Sequence, residues 1–327
     1  MDIELVSGLK GAKLNTWQAF LEKAGLQADE TVSRTVLVWD EGTLIATGSR
    51  QDHILKCIAV SDDRQGEGLT ATVLTALRQD AFADGHRHLF LYTKPKNKWM
   101  FSSLFFYPIA QTDSVLLMED RKNGISDFLA SLPAAAGETV GAAVMNCNPF
   151  TLGHRYLIET AAKSCDRLYV FVLSEDKGPI RAKDRLEMVR LGTADIANVT
   201  VLPTGPYLIS SATFPTYFLP QRDKATEVQC LLDIEVFARH YAPYFGIQCR
   251  FVGTEPLSPM TGQYNEALKE NLPNYGITVT EIPRLEKGET PISATAVRKA
   301  LDEGTEFRHL VPETTYEYLI QGGFCHA

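Results

Sequence analysis

Two short stretches carry side chains whose types and order suit phosphate chemistry. The first is Asn146-Cys147-Asn148-Pro149-Phe150-Thr151-Leu152-Gly153-His154, set between a continuously apolar run and a helical pattern. A strand that turns tightly into a helix leaves the first N–H groups of that helix unsatisfied, and together with the helix dipole they favour phosphate. Gly153 lets a ligand approach the backbone, and His154, in the first turn, adds a side-chain donor at the same place. The second stretch is Ile292-Ser293-Ala294-Thr295-Ala296-Val297-Arg298, which also opens a helical pattern. Ser293 is a natural N-cap. Arg298, about one turn inside, offers a planar fork to phosphate oxygens. Taken singly, the first stretch reads equally well as an ordinary capped helix start, and the second reads better as a capped helix with a solvated Arg.

Softer candidates surround these two. Arg181, Lys183 and Arg185 cluster after a second apolar run, and Gly253, Thr254 and Glu255 end another. In the first third of the chain, Arg64-Gln65-Gly66-Glu67-Gly68 forms a turn before a helix. The six cysteines, Cys57, Cys147, Cys165, Cys230, Cys249 and Cys325, lie far apart with no C-x-x-C pair, and the seven histidines show no ligand-type clustering. No protein-held metal is therefore expected, and the cysteines read as reduced, mostly buried small apolar side chains. The aromatic segment Trp99, Phe101, Phe105, Phe106, Tyr107 is expected to be core.

The elements that must position these residues fall into two sets. Residues 1–120 read as a mixed α+β unit, with helical spacing through Trp17, Phe20 and Leu21 and again through Leu69, Val73, Leu74 and Leu77. Strands are expected at Thr35–Trp39, Leu44–Gly48, Ile54–Val60, His88–Thr93 and Val115–Glu119. Residues 121–138 carry charge, glycine, a short apolar helix candidate and then Pro-Ala-Ala-Ala-Gly, which reads as a linker. From 139 to 327 strands and helices alternate. Strands are expected at Val140–Met145, Leu168–Leu173, Val199–Leu202, Ile247–Val252 and Ile277–Ile282, several of them continuously apolar, as strands covered on both faces are. That pattern is a doubly wound parallel α/β sheet, whose ligands bind beyond the carboxyl ends of the strands.

Composition excludes several classes of protein. At 327 residues, 45% hydrophobic and 22% charged, the chain is neither predominantly disordered nor a single small core. No apolar run approaches the roughly 18 to 20 residues that span a bilayer. No basic-then-apolar leader is visible at Met1, so a cytoplasmic protein is expected. A net charge of −8 is a poor footprint for nucleic-acid binding.

Together, the turn at Thr151–His154 and the Ile292–Arg298 helix start resemble the paired signatures of the nucleotidylyltransferase superfamily, a T/H-x-G-H turn and an I-S-x-T-x-x-R segment. Thr151 stands where the commoner form has His, and Asn148 where Asp is frequent. The strings Met145–Tyr156, Asp184–Arg190, Ile209–Tyr217 and Phe251–Pro256 look like the [citrate (pro-3S)-lyase] ligase family over essentially the whole chain. That resemblance implies an N-terminal GNAT-like domain followed by a Rossmann-like nucleotidylyltransferase domain. It implies ATP with Mg2+ carried by the nucleotide, acetate as substrate, and the acyl carrier subunit of citrate lyase with its CoA-derived prosthetic group as partner. Acetate would be activated as acetyl-adenylate, releasing pyrophosphate, and then passed to the carrier thiol, releasing AMP. In this reading His154, Asn148 and Arg298 act on the phosphates. Asn146, Pro149, Phe150, Thr151, Gly153, Gly253, Thr254, Glu255, Ile292, Ser293 and Thr295 complete the ATP site, with Arg181, Lys183 and Arg185 as further candidates. In the N-terminal domain, Arg64, Gln65, Gly66 and Gly68 stand where GNAT domains grip a CoA pyrophosphate, although Asp63 occupies the place of the usual Gln or Arg. Two other readings stay open: adenylyl transfer to a phosphomonoester, and a non-catalytic nucleotide-binding regulator.

Overall fold

The computed structural model describes residues 1–176, 178–208, 214–219, 225–254, 259–287 and 290–324. These form two compact units, Met1–Gly124 with Phe214–Leu232, and Ile125–Thr213 with Asp233–Ala327.

The first unit runs β1 (Asp2–Ser7), α1 (Gly11–Lys23), β2 (Arg34–Asp40), β3 (Thr43–Gln51), β4 (Ile54–Val60), α2 (Leu69–Ala83), β5 (Phe90–Thr93), α3 (Lys98–Ser103), β6 (Tyr107–Gln111) and β7 (Leu116–Glu119). The sheet order is β1-β2-β3-β4-β5-β7-β6. Every pairing is antiparallel except β4 with β5, which touch in parallel only at Ile54↔Phe90 and Leu55↔Leu91 before parting. The apolar stripe of α2, Val73, Leu74, Leu77 and Ala81, packs on Val36, Val38, Ala46 and Leu55. This is the GNAT-like α+β architecture. Two strands lay beyond the periodicity argument. Strand β1 is an edge whose Ile3 and Leu5 stay exposed, and β6 contains Pro108 and a register shift between Pro108 and Ala110. The aromatic segment also divides. Phe101 and Phe106 are buried as expected, whereas Trp99 and Phe105 are 83% and 68% exposed, so those two are not core.

The second unit runs α4 (Gly124–Ala130), β8 (Val140–Met145), α5 (Leu152–Ala162), β9 (Arg167–Val172), α6 (Ala182–Gly192), β10 (Val199–Pro203), α7 (Ala225–Val236), α8 (Ala242–Phe245), β11 (Cys249–Gly253), α9 (Pro259–Asn271), β12 (Thr278–Ile282), α10 (Ala294–Glu303) and α11 (Glu313–Gln321). Helix α7 begins in the first unit and ends in the second. A π-helical stretch, Phe237–Tyr241, joins α7 to α8. The five strands are all parallel in the order β10-β9-β8-β11-β12. The chain order thus reverses between β8 and β11, the switch point at which such sheets bind ligands. One face of the sheet buries Ala143, Met145, Val170, Val172 and Phe251 against Ile158 and Ala161 of α5 and Val297 and Leu301 of α10.

The units divide differently from the linear scheme of 1–120, linker 121–138 and 139–327. The first compact unit ends at Gly124, and α4 in the expected linker buries Ile125 and Leu129. Phe214–Leu232 clusters with the first unit because its aromatic side chains are packed there. The Tyr217 hydroxyl donates to Tyr92 O at 2.8 Å, and the Gln27 N–H donates to Tyr217 O at 2.8 Å. Among the described residues, no helix is long and apolar enough to cross a membrane.

Candidate active site

The carboxyl end of β8 leads into the turn that the sequence singled out. Cys147 takes a left-handed backbone (φ 51°) and is fully buried, and the Asn148–Pro149 peptide is cis. Thr151 caps α5, accepting from the His154 N–H at 3.3 Å, while its own N–H donates to His154 Nδ1 at 3.0 Å. This reciprocal capping box satisfies two helix-terminal groups at once and fixes the imidazole. Because Nδ1 is an acceptor, the neutral ring carries its proton on Nε2. Burial, with the Arg284 cation nearby, pushes the His154 pKa down to about 4, so at neutral pH the ring is an uncharged donor. Phe150 stacks beside it, with ring centroids 6.0 Å apart and planes 14° from parallel.

The second segment meets the first directly. Ser293 caps α10 by accepting from the Ala296 N–H at 3.2 Å. A Cβ added to Gly153 would lie 3.3 Å from Ile292 O, a tight contact that would push the Ile292 backbone back by a few tenths of an ångström, so the glycine favours this close approach of the start of α5. Arg298 ties the segments together, donating from Nη1 to Asn148 O and from Nη2 to Thr295 Oγ1 at 3.0 Å.

A cavity of about 270 Å³ opens where these parts converge. Of the expected residues, Asn146, Thr151, Gly153, His154, Gly253, Thr254, Ile292 and Ser293 line it. Thr254 is fixed by its N–H to Ile282 O at 2.9 Å, and its hydroxyl accepts from the Arg284 N–H at 3.0 Å. Pro149 and Phe150 are buried behind the turn. Asn148 and Arg298 stand beside the cavity wall, linked to each other, and Thr295 serves Arg298. The Asn148 Oδ1 atom is buried without a partner among the described residues. Glu255 lies outside the described residues.

Three basic candidates are placed differently. Arg181 and Lys183 are exposed at the start of α6. Arg185 is 1% exposed and serves as an internal strut, with Nη1 donating to Asn146 O at 2.8 Å and Nη2 to Glu175 O. It holds the turns after β8 and β9 together instead of facing a ligand, because an amphipathic helix buries that position. In the first unit the Arg64 guanidinium is likewise committed, to Asp40 at 2.7 Å and Glu67 at 2.8 Å. Gln65 donates to Asp62 at 3.0 Å. The turn at Gly66 and Gly68 thus keeps its backbone N–H groups but not its cation.

Sequence reasoning missed part of the lining: Arg250 on β11, Thr261, Tyr264 and Asn265 on α9, and Arg284 after β12. Asn265 holds Gly253 O through its side-chain amide at 2.9 Å. The signal for Arg250 was present, since a charged residue inside an otherwise apolar buried strand demands a reason. Among the described residues no Asp or Glu lines the cavity, and no cluster of three His, Cys, Asp or Glu side chains is placed to hold a metal.

A parallel sheet with this strand order, whose first turn and a distant capped helix meet at the switch point, defines the second unit as a doubly wound, Rossmann-like α/β domain. The family model for the citrate lyase ligase C-terminal domain matches residues 140–319. The chain is 38% identical over 311 residues to the [citrate [pro-3S]-lyase] ligase of Klebsiella pneumoniae, covering 92% of this chain and 91% of that one. It is 36% identical over 324 residues to the same-named protein of Haemophilus influenzae, covering 95% and 96%. A solved acyl-CoA N-acyltransferase from Pseudomonas aeruginosa is 13% identical and covers 37% of this chain and 99% of its own, with a TM-score of 0.32. The chain belongs to the citrate lyase ligase family and is a ligase.

Proposed function

We propose that this protein activates acetate with Mg2+-bound ATP and passes the acetyl group to the thiol of the CoA-derived arm on the acyl carrier subunit of citrate lyase, in the cytoplasm. An acetate oxygen attacks the α-phosphorus in line, the bond to the β-phosphate oxygen breaks, and pyrophosphate leaves. The carrier thiolate then attacks the acetyl carbonyl and AMP departs, giving the thioester. The Mg2+ travels with the nucleotide and offsets phosphate charge.

The observation that carries this reading is the convergence of two segments, remote in sequence, on one cavity. The N-terminus of α5, with Thr151, Gly153 and His154, suits the α- and β-phosphates, and the N-terminus of α10, with Ser293, faces the same space. Arg298 keeps the two in register through Asn148 O, so its role combines positioning of the turn with charge for the leaving pyrophosphate. Positioning and charge neutralisation are what phosphoryl chemistry asks of a protein. The lining also suits the nucleophile. A carboxylate needs no general base, and none stands among the described lining residues: His154 is neutral with Nδ1 occupied, and no Asp or Glu is present.

The test is transfer of labelled acetate to the carrier. Purified carrier subunit bearing a free thiol, incubated with ATP, Mg2+ and the protein, should gain label in a hydroxylamine-sensitive thioester with one AMP formed per acetyl group. Label-free carrier with the arm's thiol intact, or an adenylylated phosphomonoester as the product, would reject the proposal.

A further inference from the structure

The inner wall of the cavity holds a charge that the phosphate-binding elements leave unexplained. Arg250 is 97% buried, being 3% exposed, and its Nε and Nη1 atoms have no hydrogen-bond partner among the described residues. No ion pair to Arg250 is present among those residues either. Its nearest compensation is polar and indirect. The guanidinium bonds to the Tyr264 hydroxyl, which donates to Asp233 Oδ2, and the cation lies over the Phe237 ring at 4.8 Å. Phe237 opens the π-helical stretch, an irregularity common at functional sites, and here it brings an aromatic face beneath the cation.

A guanidinium stays charged at neutral pH. Burying one with incomplete pairing costs several kcal/mol by general estimates, and a fold retains such a group where a ligand or a mechanism uses it. Burial pushes the Arg250 pKa down, the direction expected of a cation lacking a full counter-ion.

The surroundings indicate what would complete it. Residues alternate faces along a strand, so Arg250 and Val252 share one face of β11, opposite to Phe251, which packs towards α5. Val144 and Val252 line the cavity beside Arg250, as do Tyr264 and Asn265. This wall therefore joins a small apolar surface to a cation; the Tyr264 hydroxyl behind it donates its proton to Asp233, and no Asp or Glu stands among the described residues that line the cavity itself. A short organic acid has that same combination of a methyl-sized apolar end and one anionic group. The phosphate-facing groups, Gly153, His154 and Ser293, line the same cavity, so an acid held here would share it with the nucleotide.

We propose that Arg250, through the guanidinium N–H groups left without a partner among the described residues, is the subsite that seats the carboxylate of the acid substrate, with Val144 and Val252 enclosing its alkyl end. The inference rests on the acid-activation reading above, and it assigns discrimination by acid size to the two valines.

The test compares wild type with Arg250→Met, using acetate as the probe. The KM for acetate in pyrophosphate–ATP exchange should rise by about 30-fold, the scale of a lost hydrogen bond to a charged group, while the dissociation constant for ATP stays within about twofold. An unchanged acetate KM at equal thermal stability would overturn the assignment, and so would an equal loss of ATP affinity, which would give Arg250 to the nucleotide. If Arg250→Met does not fold, Arg250→Lys keeps the buried charge without the planar fork and should still raise the acetate KM by about fivefold or more. No rise in that variant also overturns the proposal. Thermal stabilisation by acetate separates this proposal from the functional reading. A wild-type protein that fails to exchange pyrophosphate yet is stabilised by acetate, with the effect lost in the variant, would refute the reaction and keep the subsite. A wild type that acetate does not stabilise, and that does not exchange, refutes both.

Discussion

Replacing His154 with Asn isolates the electrostatics of the turn. The Asn side chain places an oxygen near the position of Nδ1, so it can still accept from the Thr151 N–H that the imidazole now takes at 3.0 Å. What it loses is the titration. The folded pKa of about 4 lies below the ordinary histidine value of 6.5, so between those values the unfolded chain binds the proton and the folded chain does not. Stability is therefore unaffected by this group above pH 6.5 and falls as the pH drops towards 4. The full depression is equivalent to about 3 kcal/mol, of which about 2 kcal/mol is lost between pH 7 and pH 5. Urea unfolding of wild type and His154→Asn at those two pH values gives the answer by difference, because the other titrating groups are common to both proteins. The wild type should lose about 2 kcal/mol more than the variant on acidification. Pyrophosphate exchange by the wild type should correspondingly show no histidine limb near pH 6.5. Equal acid sensitivity of the two proteins, or an exchange limb near 6.5 that disappears in the variant, would refute the buried neutral imidazole.

Three further outcomes follow from the same geometry. Arg298→Lys should lower turnover by about one to two orders of magnitude, because a single ammonium cannot hold Asn148 O and Thr295 Oγ1 together as the planar fork does; unchanged turnover in a folded variant would make Arg298 a surface cation. Gly192→Ala should cost about 1–3 kcal/mol in urea unfolding, since the new Cβ would lie 2.5 Å from Cε1 of Phe150, the ring stacked beside His154; an unmoved midpoint would show that the ring is loosely held. Arg185→Met should destabilise by about 2 kcal/mol by leaving Asn146 O and Glu175 O without their donor; a selective loss of ATP affinity at constant stability would return Arg185 to the phosphate site.

The parallel sheet was legible because its strands are covered on both faces and read as unbroken apolar runs. The expected Val140–Met145 is β8 as it stands, and the others differ by a residue or two at their ends. The turn from Asn146 to His154 and the Ser293 cap were legible because the residues that satisfy helix ends are chemically distinctive. Three things were not. The role of a cation depends on what it faces, and sequence position alone did not separate Arg298, which bridges two segments, from Arg185, which is buried as a strut. The inner wall was missed because Tyr264 and Asn265 lie on a helix with no local motif and come to β11 only through the tertiary fold. Compact division failed to follow chain order because Phe214, Tyr217 and Phe218 find their burial among first-unit residues, and no local feature of the sequence announces a non-local partner.

The central claim is that the cavity joins acetate to the α-phosphate of ATP before the carrier takes part. It is tested most directly by the exchange of labelled pyrophosphate into ATP, catalysed by the full-length protein with Mg2+ and no carrier subunit. Label should appear in ATP only when acetate is present, at a rate that saturates with acetate. Exchange that ignores acetate, or no exchange until the carrier is added, would contradict the account.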